Sequence, residues 1–380
     1  MRSYKRKMLQ GTVFASLCLA GPVWAHPGHF HPQGAEHDHV RDVAPAARQM
    51  HAQAEGEIRT SGQGDLKFRV FATSGTLPEG ALEVLVKAHG GFAVDRREGQ
   101  GEVYFALPGA GIIQLSPDLK QSTLIETDPQ VRDTNMHNTA IWYGEDGTPY
   151  LSFPANEANK VYTTTLEGKL VHTLEAPQAF DFDEPAVNKY FAEGGKFVPT
   201  DVAKLRDLFY VTTGYSNLDY VLTARVDDSA GVKAEWNDFA FGGKGEGPGQ
   251  FGTGHGITIT PDERRITVAD RPNSQLERFT RMGQYRDTVE LPKGSFPCDV
   301  DYEGEYTVVG CLHGPDRSLG APIYIVKDDQ VVSTIMPKEE LGLEKFTHIH
   351  NAVMVTVHDT LYVIAQAWNP GDFAILEQVK

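Results

Sequence analysis

The chain has 380 residues, with 35 Lys and Arg against 51 Asp and Glu and a formal net charge of −16 at pH 7. So acidic a surface argues against nucleic acid and anionic lipid as partners, because both would repel it. Beyond residue 25 no apolar run approaches the roughly 20 residues a membrane-spanning helix needs, so no membrane insertion of the mature chain is expected.

The N-terminus reads as an export signal. Arg2, Lys5, Arg6 and Lys7 form a basic region, and Met8 to Ala20 is mostly apolar yet too short to span a bilayer. Val23-Trp-Ala25 offers small residues where a signal peptidase reads, so cleavage is expected after Ala25 and the protein is expected to be periplasmic or secreted. Leu17 before Cys18 is too bulky for the usual lipid-attachment motif, which favours plain cleavage over lipidation. Residues 26–64 carry His26, His29, His31, His37, His39 and His51 among Pro, Gly and Ala, with no hydrophobic period, and read as a disordered tail. The close pairs His29/His31 and His37/His39, with His26, suit loose capture of Zn²⁺ or Cu²⁺; a merely solubilising tail is the alternative.

From residue 65 to the end the pattern changes to short β-rich runs separated by turn residues. Examples are Glu102-Val-Tyr-Phe-Ala106, Leu208-Phe-Tyr-Val-Thr212, Arg265-Ile-Thr-Val-Ala269 and Thr360-Leu-Tyr-Val-Ile364. Pro78 to Lys87 fits either a short helical turn or a strand. Six segments align, each a polar residue leading into a small or apolar strand, and they begin at His89, His137, Thr200, His255, Cys298 and His350. Their spacings of 48, 63, 55, 43 and 52 residues suit four-stranded blades with variable loops, so the expected fold is an all-β, six-bladed β-propeller.

In a propeller the first strand of each blade lines the central channel, so the six starts should converge on its axis. Four of them are histidines, His89, His137, His255 and His350, and burying several imidazoles with nothing to satisfy them would be costly. A divalent metal satisfies them together; Zn²⁺ is the first expectation and Cu²⁺ the alternative. Three ligands leave an open position for chemistry, whereas four close a tetrahedral site and suit storage. His348 and Cys298 are candidates for the surrounding shell, and His313 for the channel mouth or an exposed turn. Cys298 and Cys311 flank a hairpin turning near Glu303-Gly-Glu305. In an oxidising compartment they are expected to form a disulfide, the alternative being a free Cys298 facing a metal.

A family resemblance rests on particular residues. His255-Gly-Ile-Thr-Ile-Thr-Pro261, followed by Val268-Ala-Asp-Arg-Pro-Asn-Ser-Gln-Leu-Glu-Arg-Phe279, strongly resembles a blade of peptidyl-α-hydroxyglycine α-amidating lyase, within the NHL-repeat propellers. Val211-Thr-Thr-Gly-Tyr-Ser-Asn217 is similar to that lyase's tyrosine-bearing blade, and Gly242-Gly-Lys-Gly-Glu-Gly-Pro-Gly-Gln-Phe251 to the glycine-rich NHL linker. The resemblance implies zinc on three channel histidines, matched by His137, His255 and His350. It also implies a catalytic tyrosine matched by Tyr215 and a catalytic arginine matched by Arg271. The sequence departs from the family in three ways. The strand Glu102 to Pro108 lacks a second functional arginine, Asn351 stands where the family has a calcium-binding aspartate, and His89 is an added channel histidine. The expected function is therefore an exported, metal-dependent, lyase-like protein acting on a small hydroxylated, carbinolamide-like substrate. The alternative is a non-catalytic zinc or copper chaperone or buffer that uses the tail and the channel histidines.

Overall fold

In the computed structural model residues 58–380 are described, and they form 25 strands with little helix. The first two strands, β1 (Ser61–Gln63) and β2 (Leu66–Thr73), turn back on each other through Gly64. Strand pairing thus begins at Ser61, inside the stretch expected to be tail, because Ser61 and Gln63 find partners on a neighbouring blade that local polarity does not reveal. The signal segment and the histidine-bearing part of the tail, from His26 to His51, lie outside the described residues.

Six sheets follow in chain order. Blade 1 is β3 (Phe92–Val94), β4 (Val103–Leu107), β5 (Gly111–Leu115) and β6 (Ser122–Ile125). Blade 2 is β7 (Ala140–Tyr143), β8 (Pro149–Ala155), β9 (Lys160–Thr165) and β10 (Leu170–Leu174). Blade 3 is β11 (Asp201–Leu205), β12 (Leu208–Thr212), β13 (Tyr220–Asp227) and β14 (Lys233–Gly242). Blade 4 is β15 (Gly254–Ile259), β16 (Arg265–Asp270), β17 (Gln275–Thr280) and β18 (Tyr285–Glu290). Blade 5 is β19 (Phe296–Glu303), β20 (Tyr306–His313), β21 (Ile323–Lys327) and β22 (Gln330–Ile335). Blade 6 joins both ends of the domain: β23 (Ile349–Val357), β24 (Thr360–Ala367) and β25 (Asp372–Gln378) continue into β2 and β1. The fold is an all-β six-bladed propeller, as expected. Pro78 to Lys87 takes the helical alternative, as a turn of α-helix over Glu79–Leu82 and a 3₁₀ turn over Leu85–Lys87.

The core explains why the strands read as continuous apolar runs. One hydrophobic cluster fills each of the six seams between neighbouring blades. A middle strand is therefore buried on both faces: Val103, Phe105 and Leu107 of β4 face blade 6, while Tyr104 and Ala106 face blade 2. The period-2 alternation of side chains still operates, but both faces are dry.

Closure of the ring depends on β2, whose Phe68 and Val70 pair with Gln378 and Leu376 of β25. Phe68 is fully buried among Phe346, Ile349 and Leu376 in the seam between blades 5 and 6. Phe68→Ala is expected to cost about 3–5 kcal/mol in urea unfolding. A loss under about 1 kcal/mol would show that this seam does not hold the ring closed.

Candidate metal centre

The six strand starts converge as the repeat requires. His137, His255 and His350 are buried, and His89, carried on the loop before β3, is half-buried beside them. Ring centroids lie 4.4 Å apart for His89–His137, 4.5 Å for His89–His350 and 4.8 Å for His137–His350. Two imidazoles bound to one ion at about 2.0–2.1 Å place their centroids roughly 4.5–5.2 Å apart, so the triangle has close to the spacing of a shared metal. One ligand nitrogen from each of His89, His137 and His350 falls within a 4.8 Å set, and these three residues can hold a metal ion.

The two ring positions without histidine serve the histidines. The Thr200 carbonyl lies 2.7 Å from His137 Nδ1, and the Cys298 carbonyl lies 2.6 Å from His255 Nδ1. A carbonyl only accepts, so each Nδ1 carries the proton and each Nε2 the lone pair. A carbonyl that accepts from the other ring nitrogen in this way fixes the tautomer that binds a metal. His350 is held differently. Both its nitrogens are buried without a hydrogen-bond partner. Burial, and after it His89, His137 and His255, hold its imidazole well below the usual range, so it is neutral.

His255 stands in the ring, with centroids 4.8 Å from His137 and 5.0 Å from His350, but its lone pair is engaged. Its Nε2 lies 3.0 Å from Tyr215 Oη, which donates to it. Arg271 Nη1 donates to the same phenol oxygen at 2.8 Å, and Nη2 donates to Cys298 Sγ at 2.9 Å. The sequence-matched tyrosine and arginine thus meet at the ring, and the order runs Arg271 to Tyr215 to His255 to the Cys298 carbonyl. Burial pushes the Tyr215 phenol up, opposed by the charge of Arg271; burial followed by Arg271 holds His255 well below the usual range.

Local structure explains how these side chains arrive. Tyr215 sits in the β12–β13 loop, folded by Ser216 Oγ on the Thr213 carbonyl (2.7 Å) and Thr213 Oγ1 on the Tyr220 carbonyl (2.8 Å). Gly214 passes so close to the Gly254 carbonyl that a Cβ there would overlap it. Arg271 follows β16, whose Asp270 does not pair with it. Asp270 instead accepts from the Gly252 and Thr253 amides at 2.8 and 3.1 Å and clamps the approach to β15. Among the described residues Arg271 has no carboxylate partner, although it is only 5% exposed.

Next to the histidines lies a buried polar layer of Asn138, Asp201, Asp299 and Asn351, each following a ring position, of which sequence reasoning singled out only Asn351. Asn351 donates to Asp299 and accepts from the Phe92 amide at 3.1 Å; the Ile257 amide donates to Asp201 at 2.7 Å. Burial pushes both carboxyls up, Asp201 further through the charge of Asp299. The signal was available in the "polar residue after the ring residue" repeat, with glycines at 91 and 256 where a Cβ would strike Asn138 and Asp299. Asn138, Asp201 and Asp299 of this layer also line a cavity of about 940 Å³. None of the channel histidines lines that cavity, so it is separate from the histidine ring.

The remaining candidates separate. Cys298 faces Arg271 in the channel, whereas Cys311 packs in the blade 4–5 seam with Ala269, Leu276 and Tyr324. The expected disulfide is not formed, and both cysteines are free and buried. The reason is register: a bulge around Pro297 sets Pro297, not Cys298, opposite Cys311. Without reductant, neither Cys298 nor Cys311 is expected to react with an aromatic disulfide reagent in the folded protein, and both should react in denaturant; no released thiol from these positions would restore the bridge. His348 lies outside the ring, half-buried, with its ring 4.8 Å from that of His313. Burial, helped by Arg317 and His348, lowers His313 to about 4. Trp368, also missed, stacks on His89 at 5.5 Å. It directly follows β24, the strand next to the innermost one of blade 6, and nothing in its local sequence marks it.

The chain matches no protein family and no curated protein. It is similar to a streptogramin B lyase structure at 13% identity and TM-score 0.47, covering 79% of this chain and 97% of that one. For a nidogen/laminin complex the figures are 14%, 0.46, 69% and 83%. For Kuenenia stuttgartiensis hydrazine synthase they are 14%, 0.37 and 60%, and the match spans only 55% of that chain. The assignment rests on the chain's own sheet order: a six-bladed β-propeller with a histidine cluster near its axis.

Proposed function

We propose that this is an exported, metal-dependent, lyase-like propeller that acts on a small hydroxylated substrate bearing a carboxylate. His89, His137 and His350 would hold one divalent ion, Zn²⁺ before Cu²⁺, and His255 would stay with Tyr215. The supporting observation is His350, a buried neutral imidazole with both nitrogens unpartnered, set within ligand distance of two more histidines. An imidazole so placed is costly unless something accepts its lone pair.

When bound, the ion would supply Lewis acidity, lowering the pKa of a substrate hydroxyl. The chain's own residues would do the rest. Arg271 is a buried guanidinium lacking a carboxylate partner, a costly arrangement that a substrate carboxylate would relieve through charge-assisted hydrogen bonds. Tyr215 Oη takes the hydroxyl proton of a carbinolamide as it passes its own proton to His255 Nε2, with Arg271 beside the phenol oxygen. As the C–N bond breaks, the hydroxyl carbon becomes the carbonyl of glyoxylate, and the proton held by His255 returns through Tyr215 to the amide nitrogen.

The test is glyoxylate release from an N-acyl-α-hydroxyglycine by the metal-loaded full chain. Stoichiometric metal without glyoxylate would overturn the lyase reading and leave non-catalytic metal binding. One observation favours that second reading: additional imidazoles, His313 and His348, stand outside the ring.

A further inference from the structure

We propose that His313 and His348 form a second metal site, a two-imidazole station at the channel mouth that loads the inner trio by way of Trp368 and His89. The loading role rests on the inner metal proposed above; the binding itself does not.

The geometry of the pair repeats that of the trio. The two rings meet edge to face with centroids 4.8 Å apart and planes at 81°. This falls inside the roughly 4.5–5.2 Å expected for two imidazoles sharing an ion. His348 Nδ1 lies 3.3 Å from the Asn369 carbonyl, the same kind of carbonyl hold that fixes His137 and His255. It leaves the Nε2 lone pair of His348 for a ligand role. The two rings come from different blades: His313 ends β20 in blade 5, and His348 immediately precedes β23 in blade 6. Both are half-buried, so solvent reaches them.

The pair is also connected inward. His348 and Trp368 are tied by the Trp368 amide on the His348 carbonyl at 3.0 Å, and their rings lie 5.9 Å apart. Trp368 also stacks on His89, the half-buried member of the inner trio. Ring contacts therefore run from the outer pair through Trp368 to His89, and from His89 to the buried His137 and His350. The surroundings make the outer station the weaker one. It has two protein ligands where the inner site has three, and Arg317, whose guanidinium lies over Phe296 beside His313, repels a cation. A weak outer site and a tight inner one suit one-way loading.

The test uses the full chain and Zn²⁺ alone. Wild type, His313→Asn/His348→Asn and His137→Ala/His350→Ala are titrated calorimetrically, and loading rates are followed after mixing. Circular dichroism confirms that each variant is folded. Tail histidines are common to all three proteins, so differences report the channel. The outer variant is expected to bind about one equivalent fewer in the weaker class and to load the tight site several-fold more slowly, with tight affinity unchanged. An outer variant that titrates and loads like wild type overturns the proposal. If the inner variant alone keeps wild-type binding, the inner site is lost while the outer station stands; equal stoichiometry in all three proteins removes both.

Discussion

In the His137→Ala/His350→Ala variant the metal content of protein purified without added metal or an affinity column is expected to fall from about one equivalent to background. The two residues contribute different parts of the site. His137 brings an Nε2 whose tautomer is set by the Thr200 carbonyl, and His350 brings two unpartnered nitrogens. Removing both leaves His89 as the single member of the trio, with His255 still occupied by Tyr215. The double change should also abolish the thermal stabilisation conferred by added Zn²⁺, which for a ligand at 100 times its Kd is about 2.7 kcal/mol. Elemental analysis and melting with and without chelator check both points. Metal retained at wild-type level would place it elsewhere in the chain and remove the ring as the site.

Tyr215→Phe is expected to lower glyoxylate release about 10²–10⁴-fold while leaving metal content unchanged. The phenol oxygen touches both His255 and Arg271, so its removal breaks the proton route without touching the trio. The variant also frees the His255 lone pair. Tighter metal binding with lost turnover would therefore be a distinctive outcome, since a fourth imidazole could then close the site. A merely structural tyrosine would instead reduce stability and leave turnover per folded molecule unchanged. Full turnover in Tyr215→Phe would remove Tyr215 as the base.

Much of this arrangement was legible in the sequence, because blade repeats are local patterns. The six starts at His89, His137, Thr200, His255, Cys298 and His350 carry their own spacing, and the strands that follow are recognisable by composition. Tyr215 and Arg271 were found through motif resemblance, and the structure joins them to the ring. The closure at Ser61–Gln63 was not legible, because its partners Ser333 and Thr334 lie in blade 5, far along the chain.

What the sequence determined by itself is periodic: an all-β repeat of six blades and the residues that start each inner strand. What only the tertiary structure decided is how equivalent residues differ. Four histidines are alike in the repeat, yet His255 is engaged by a phenol 40 residues away in the chain, and the trio becomes His89, His137 and His350. Two cysteines flank one hairpin, yet a bulge at Pro297 sends Cys298 to the channel while Cys311 packs in the seam. The physical reason is the same in each case. A strand start places a residue at the axis through local geometry, but its lone pairs are assigned by hydrogen bonds from other blades, and those exist only once the ring has closed.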